Sequence, residues 1–352
     1  MGIEIGFIGL GMMGHPMVRR LLGAGYAVTG FDVVPEKVRA LEWHGMRPSA
    51  SVREVAERAG IIITMLLKPE HIEASLFGAE GVAAAKRRGI VHVDMSTMSP
   101  LAEQDWAQRL KRHGIEKLDA PVSGTTPQAE QGILTVMVGG DRPLFDQVRH
   151  VFGPLSRHVF YMGGHGMGAW MKLVTNHLLN VNMATLAEGL LLGQRAGIDR
   201  EFMLQVLGAG VASSRALDIK GRKFIERDFA PEGKVEIYCK DLGLIHEAGR
   251  KLGLSMPMAA TALELYRKTA AAGMGELDCV AVIQTLENKA GPPPGRAGEG
   301  RVRATAVARV QPVASGKRAH ACRIGPADRR PKPAARRRPS GGPGSAAKGR
   351  RR

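Results

Sequence analysis

The sequence predicts an α/β chain: a doubly wound parallel sheet followed by an all-helical second domain, the two joined by a long helix. Three observations carry this reading. A glycine turn, Gly9-Leu10-Gly11-Met12-Met13-Gly14, follows directly on a short apolar run and opens a helical pattern. Strand-like and helix-like patterns then alternate over roughly the first 160 residues, as parallel strands with crossover helices require. From Ala169 to Gly197 there is no proline, and apolar residues appear on every side of the helical projection. Such a helix must be covered all round, which one sheet cannot do.

Taken in order, strands are expected at 3–8, 27–31, 61–65, 90–93, 117–118 with its neighbours, 134–138 and 158–161. The runs at Ile61 and Ile90 are apolar on both faces, as central strands covered by helices should be. A first helix runs over 12–24 and stops at Gly25. Another is expected at 100–113, with Ser99 as N-cap and Pro100 in the first position. The long helix, 169–196, would measure about 40 Å at about 1.5 Å per residue. Further helices are expected at 201–207, 240–252, 258–272 and 277–287. The domain expectation is therefore 1–163 for dinucleotide binding, 164–290 for an all-helical substrate and oligomerisation domain, and 291–352 for a basic tail, with Pro292-Pro293-Pro294 at the junction.

The order strand, glycine turn, helix is what a dinucleotide pyrophosphate needs: a tight turn, close backbone approach and a helix N-terminus in one place. Asp32 follows Gly14 by 18 residues, at the end of the second strand, where a carboxylate meets the adenosine ribose. This is a Rossmann-type arrangement, with Gly9, Leu10, Gly11, Met12, Met13, Gly14 and Asp32 as cofactor-binding residues. Asp32 accepts from a ribose 2′-OH and repels a 2′-phosphate, which favours NAD. Lys37 and Arg39 lie close enough in sequence to leave NADP open.

Composition excludes several classes. The net charge of +17 suggests a nucleic-acid binder until it is located. Residues 291–352 hold 17 Lys/Arg and 2 Asp/Glu, whereas the first 290 residues hold 33 and 31. The tail has no Leu or Phe, so composition predicts a disordered segment. It reads as an appendage without a role in the chemistry, the competing reading being a phosphate-binding arm. Cys239, Cys279 and Cys322 share no metal-ligand spacing, which points to free thiols and a cytoplasmic protein without bound metal. The first strand leaves no room for a signal peptide, and no apolar run is long enough to span a bilayer.

Ligands of an open parallel sheet sit beyond the carboxyl ends of its strands. Three segments fall there: Asp94-Met95-Ser96-Thr97, Asp119-Ala120-Pro121-Val122-Ser123-Gly124, and the glycine-rich approach to Lys172 and Asn176. The lysine and asparagine are four residues apart and share one helix face. A lysine facing an apolar crevice loses basicity by desolvation, which suits it to proton transfer. Asn176 would hold the same substrate oxygen or fix the lysine. His165 is the competing base, but it has no visible acidic partner. A non-catalytic nucleotide sensor would keep the glycines without needing the Lys172–Asn176 pair.

With these motifs in this order, the chain resembles the β-hydroxyacid dehydrogenases, a family that includes 3-hydroxyisobutyrate dehydrogenase and tartronate semialdehyde reductase. The resemblance spans about residues 3–288, and its matching text includes Gly166-Met167-Gly168 and Lys240-Asp241-Leu242. It implies NAD(P)-linked oxidoreduction of a short 3-hydroxy acid, with tartronate semialdehyde (2-hydroxy-3-oxopropionate) reduction as the alternative, in a homodimer or homotetramer. It further implies that Lys172 is the catalytic lysine and that Asn176, Ser123 and Gly124 bind substrate. Thr97 would lie near the nicotinamide, Met65 and Leu66 would line the middle of the cofactor, and Lys240 would be a cofactor-side lysine. One position departs from the family: a second glycine usually follows Ser-Gly, and here Thr125 and Thr126 stand instead.

Overall fold

The computed structural model describes residues 4–289; the tail expectation and Ile3, the first residue of the first expected strand, lie outside them. The sheet is built from β1 (Glu4–Ile8), β2 (Ala27–Phe31), β3 (Arg47–Pro48), β4 (Ile61–Thr64), β5 (Val91–Asp94), β6 (Glu116–Asp119), β7 (Val122–Ser123), β8 (Leu134–Gly139) and β9 (Ser156–Gly163). Between them run α1 (Gly14–Gly23), α2 (Pro35–Glu42), α3 (Val52–Arg58), α4 (Pro69–Phe77), α5 (Pro100–Arg112), α6 (Thr126–Gln131) and α7 (Arg142–Val148). The strand order is β3-β2-β1-β4-β5-β6-β8-β7, with β9 also on β8. β1 reverses the strand order, and the glycine turn stands at its carboxyl end.

Alternation along the strands distributes side chains to two layers. Ile61, Ile63, Val91 and Val93 join Met17 and Leu21 of α1 in one core. Ile62 points the other way, into a core with Val55, Ile72, Trp106 and Leu110. The sheet is thus wound on both faces, as expected. From β1 through β6 all pairing is parallel; β8 meets β6 and β7 antiparallel. The connection from β7 to β8 through α6 is too short for a parallel crossover, which needs about a dozen residues or more. Ser99 does stand at the N-cap of α5, but its hydroxyl makes no capping bond, and the preset φ of Pro100 starts that helix instead.

Beyond β9 the chain is helical: α8 (Met167–Arg195), α9 (Arg200–Ala209), α10 (Arg215–Glu226), α11 (Val235–Lys251), α12 (Pro257–Thr269) and α13 (Val282–Lys289). Their core gathers Leu173, Met183, Leu190, Phe224, Leu242 and Tyr266. α8 runs for 29 residues, close to the expected helix. Within the single chain, Val174, Leu178 and Leu192 of this helix remain exposed.

The first turn of α8 lies almost on the sheet. A Cβ on Gly168 would stand 2.3 Å from the Met137 carbonyl oxygen, and one on Gly139 2.8 Å from the Gly168 nitrogen. Both clashes involve backbone, so neither relaxes by a side-chain rotation. Gly168→Ala is expected to destabilise the fold by about 1–3 kcal/mol, the usual cost of overpacking, read as a lower midpoint in urea unfolding.

Candidate active site

The β1–α1 turn has the geometry of a phosphate cradle. Gly9 takes φ +96°, and a Cβ there would strike the Met65 carbonyl oxygen at 2.4 Å. A Cβ on Gly14 would stand 1.9 Å from the Gly9 oxygen. Above Gly11, by contrast, there is open space, where a ligand can reach the backbone. The Gly11, Met12 and Met13 amides donate to no backbone carbonyl among the described residues. They border the N-terminus of α1, where an anion is favoured. The turn therefore fits the pyrophosphate of a dinucleotide.

Asp32 is the hinge of this turn. Its carboxylate accepts the Leu10 amide at 2.8 Å and the Val34 amide at 2.9 Å, and pairs with Lys37 at 3.3 Å. The sequence suggests the ribose contact but not that the same carboxylate tethers the glycine turn. Next to it opens a cleft of about 470 Å³ lined by residues including Phe31, Asp32, Ser51, Leu66, His71 and Glu80. Met65 and Leu66 form its neighbouring wall, fixed by Met65 N–H to the Ile8 carbonyl and Leu66 N–H to the Ser96 hydroxyl, each 2.9 Å.

A second cluster forms where α8 leaves the sheet. Asp119, at the end of β6, accepts the Gly166 amide at 2.7 Å and the Ala169 amide at 2.9 Å. A buried carboxylate thus caps α8, in charge register with its dipole. Gly166 takes φ +84°, which lets the chain turn sharply into the helix. Lys172 and Asn176 follow one and two turns later on that helix. Asn176 Nδ2 donates to Asp241 Oδ2 of α11 at 2.7 Å, and the neighbouring Lys240 ammonium donates to the Thr97 carbonyl at 2.8 Å. Thr97, Lys172, Asn176 and Lys240 are therefore drawn into one neighbourhood with Asp241, a residue of a matched motif to which sequence reasoning gives no role.

Lys172 is half-buried, and its ammonium makes no hydrogen bond or ion pair among the described residues. Burial lowers its pKa, the Asp241 carboxylate pulls it back up and the Lys240 ammonium pushes it down again; the balance is about 8. His165, the competing base, packs its ring against Gly140 and gives its carbonyl to Gln104.

Ser123 and Gly124 sit at the end of β7, against which α8 packs. No hydrogen bond joins them to Lys172 or Asn176 among the described residues. Thr125 does not present a spare donor to this region. It caps α6, its amide and hydroxyl both directed to Gln128 Oε1, at 2.9 and 3.3 Å. Thr126 turns toward the glycine turn, its hydroxyl 3.9 Å from Met13 Sδ.

Comparison with known proteins agrees with this geometry. Residues 4–163 match the model for the NAD binding domain of 6-phosphogluconate dehydrogenase, and residues 166–286 that for the NAD-binding of NADP-dependent 3-hydroxyisobutyrate dehydrogenase. The chain is 38% identical over 290 residues to 2-(hydroxymethyl)glutarate dehydrogenase of Eubacterium barkeri, covering 82% of this chain and 96% of that one. It is 36% identical over 287 residues to 2-hydroxy-3-oxopropionate reductase of Escherichia coli, covering 81% and 97%. Among solved structures, a 3-hydroxyisobutyrate dehydrogenase from Salmonella typhimurium superposes with a TM-score of 0.75 at 31% identity, over 80% of this chain and 99% of that one.

Proposed function

The chain belongs to the β-hydroxyacid dehydrogenase family and is an NAD(P)-dependent hydroxy-acid oxidoreductase; we propose that it oxidises a short 3-hydroxy acid reversibly, with Lys172 as general acid and base. The observation that carries this reading is the Lys172 amine: unpartnered among the described residues, poised at about 8, and set on α8 among Asn176, Asp241 and Lys240. The nicotinamide supplies the redox chemistry, taking up or giving the hydride at the carbinol carbon. In oxidation, neutral Lys172 accepts the hydroxyl proton. In reduction, its ammonium donates to the carbonyl oxygen and stabilises the negative charge growing there. Asn176, held by Asp241, orients the same oxygen. Ser123 and Gly124 hold the substrate carboxylate, setting its distance from the carbinol.

The similarity to a 2-hydroxy-3-oxopropionate reductase favours tartronate semialdehyde as the second reading for substrate. For the cofactor we propose NAD. Lys37 is engaged by Asp32, Arg39 by Glu36 and Arg53 by Glu80, so the cations around this end of the cleft already have carboxylate partners. Exposed Val174, Leu178 and Leu192 on α8 support a homodimer or homotetramer in which a second copy covers them. The free thiols Cys239 and Cys279 support a cytoplasmic setting, and no described helix is long and apolar enough to cross a membrane.

Assayed with a panel of short 3-hydroxy acids by NADH absorbance, Lys172→Ala is expected to lose about 10²–10⁴-fold in the chemical step while still binding cofactor; near-normal turnover would exclude the mechanism. The neutral amine is the form that oxidises. Oxidation should therefore rise with pH through about 8, and reduction should fall through the same value. Asp241→Asn removes the carboxylate that supports the ammonium, so this limb is expected to move to lower pH in steady-state profiles. In a direct comparison of cofactors, NAD should exceed NADP by at least about 10²-fold in kcat/KM, because like charges placed together cost several kcal/mol; equal use of both would refute the assignment.

A further inference from the structure

The sheet face beneath α5 carries a buried polar cluster that proton transfer at Lys172 does not use. Register aligns it: Thr64 pairs with Asp94 across β4 and β5, while His92 pairs with Lys117 and Asp94 with Asp119 across β5 and β6. Glu103 comes down from α5 and accepts a hydrogen bond from the Lys117 ammonium. All six side chains are 2% exposed or less. His165, in the turn before α8, borders the same edge. One ammonium thus faces three carboxyl groups. His92 adds no charge, since burial, with the Lys117 ammonium beside it, presses its pKa down to about 3.

Three buried anions against one cation would be costly, so one carboxyl retains a proton. The donors tell which. Asp119 accepts two amides from the first turn of α8, and Asp94 Oδ1 accepts the Thr64 hydroxyl and the Ser96 amide, each at 2.9 Å. Donors of that kind favour the ionised form. Glu103 accepts from no backbone amide among the described residues and lies within hydrogen-bonding reach of Asp94, whose buried Oδ2 has no other donor among them.

We propose that Glu103 and Lys117 are positioning residues of the active site: Glu103 keeps its proton and donates it to Asp94 Oδ2, and the Lys117 ammonium balances the charge of the Asp94 and Asp119 carboxylates beside it. Through those two carboxylates the pair fixes the Ser96–Thr97 loop on the cofactor side and the first turn of α8 on the Lys172 side. Burial pushes the Glu103 carboxyl well above its usual range against the pull of the Lys117 ammonium, with the Asp94 and Asp119 charges adding to the rise; Asp94, against its own burial, is held below its usual range by Lys117 and its hydrogen bonds. The inference rests on the reading that Thr97 and Lys172 flank the reacting atoms.

The test compares Glu103→Gln and Lys117→Met in the reducing direction, where Lys172 is needed as ammonium and the acid limb reports the carboxylates. In E103Q the side-chain amide still donates to Asp94 and accepts from Lys117. That variant is therefore expected to keep kcat and the acid limb within about twofold, at the low end of mutational effects. Removing the ammonium raises the Asp94 pKa, so its ionised state is lost earlier as pH falls. K117M is therefore expected to lower kcat about tenfold or more, the order of a broken buried charge pair, and to move the acid limb to higher pH. The alkaline limb belongs to Lys172 and stays in place in both variants; its absence from the wild type would count against the lysine mechanism alone. A folded K117M with an unchanged acid limb, or an E103Q as impaired as K117M, would overturn the proposal. If K117M does not fold, the infrared difference between wild type and E103Q decides. A protonated-carboxyl band present only in the wild type supports the proposal, and no such band overturns it.

Discussion

The Asp119 carboxylate is the constraint on which the placement of α8, and with it the candidate site, rests. It ends β6, yet it spends both oxygens on amides of the α8 first turn, at 2.7 and 2.9 Å. A helix beginning on such a cap has its phase fixed, so the direction of every later side chain follows from it. Lys172 and Asn176 inherit their placement this way. The near contact of Gly168 with the Met137 carbonyl and of Gly139 with the Gly168 amide makes the docking dense as well as directional. Steric closeness and a charge-assisted bond act at the same point, and either alone would leave the helix freer to slide.

Much of this is legible in the sequence, where chemistry and local pattern coincide. The glycine turn announces itself because its glycines answer backbone constraints within a few residues of one another. Asp32 follows at a fixed interval set by one helix and one strand. The long helix shows in its unbroken apolar run. What escapes is decided by partners far along the chain. Asp241 meets Asn176 across 65 residues, and Lys117 meets Glu103 across a turn of helix that the sequence does not align with the strand. α10 is hidden because its buried face includes Lys220, Gly221 and Lys223 beside Leu217 and Phe224, which blurs the apolar period. Those lysines are buried because Asp278, Glu232 and Asp228 receive them, and only the folded chain brings these together.

The two faces of the central strands carry opposite solutions to the same packing problem. Under α1 the sheet presents Ile63, Val93 and Leu118, and burial of apolar surface stabilises it without directional demands. Under α5 the same strands present Thr64, Asp94 and Lys117, which must find partners at fixed angles. The polar face is the one whose Asp94 holds the backbone of the β5–α5 loop through the Ser96 amide. Directionality is spent where a loop has to be held still.

Lys240 spans from α11 to the Thr97 carbonyl at 2.8 Å, a single charged strap between the helical half and the β5–α5 loop. Any widening between these two elements must first break it, at about 1.5–3 kcal/mol for a hydrogen bond from a charged group. The strap therefore resists separation of α11 from the loop that carries Thr97.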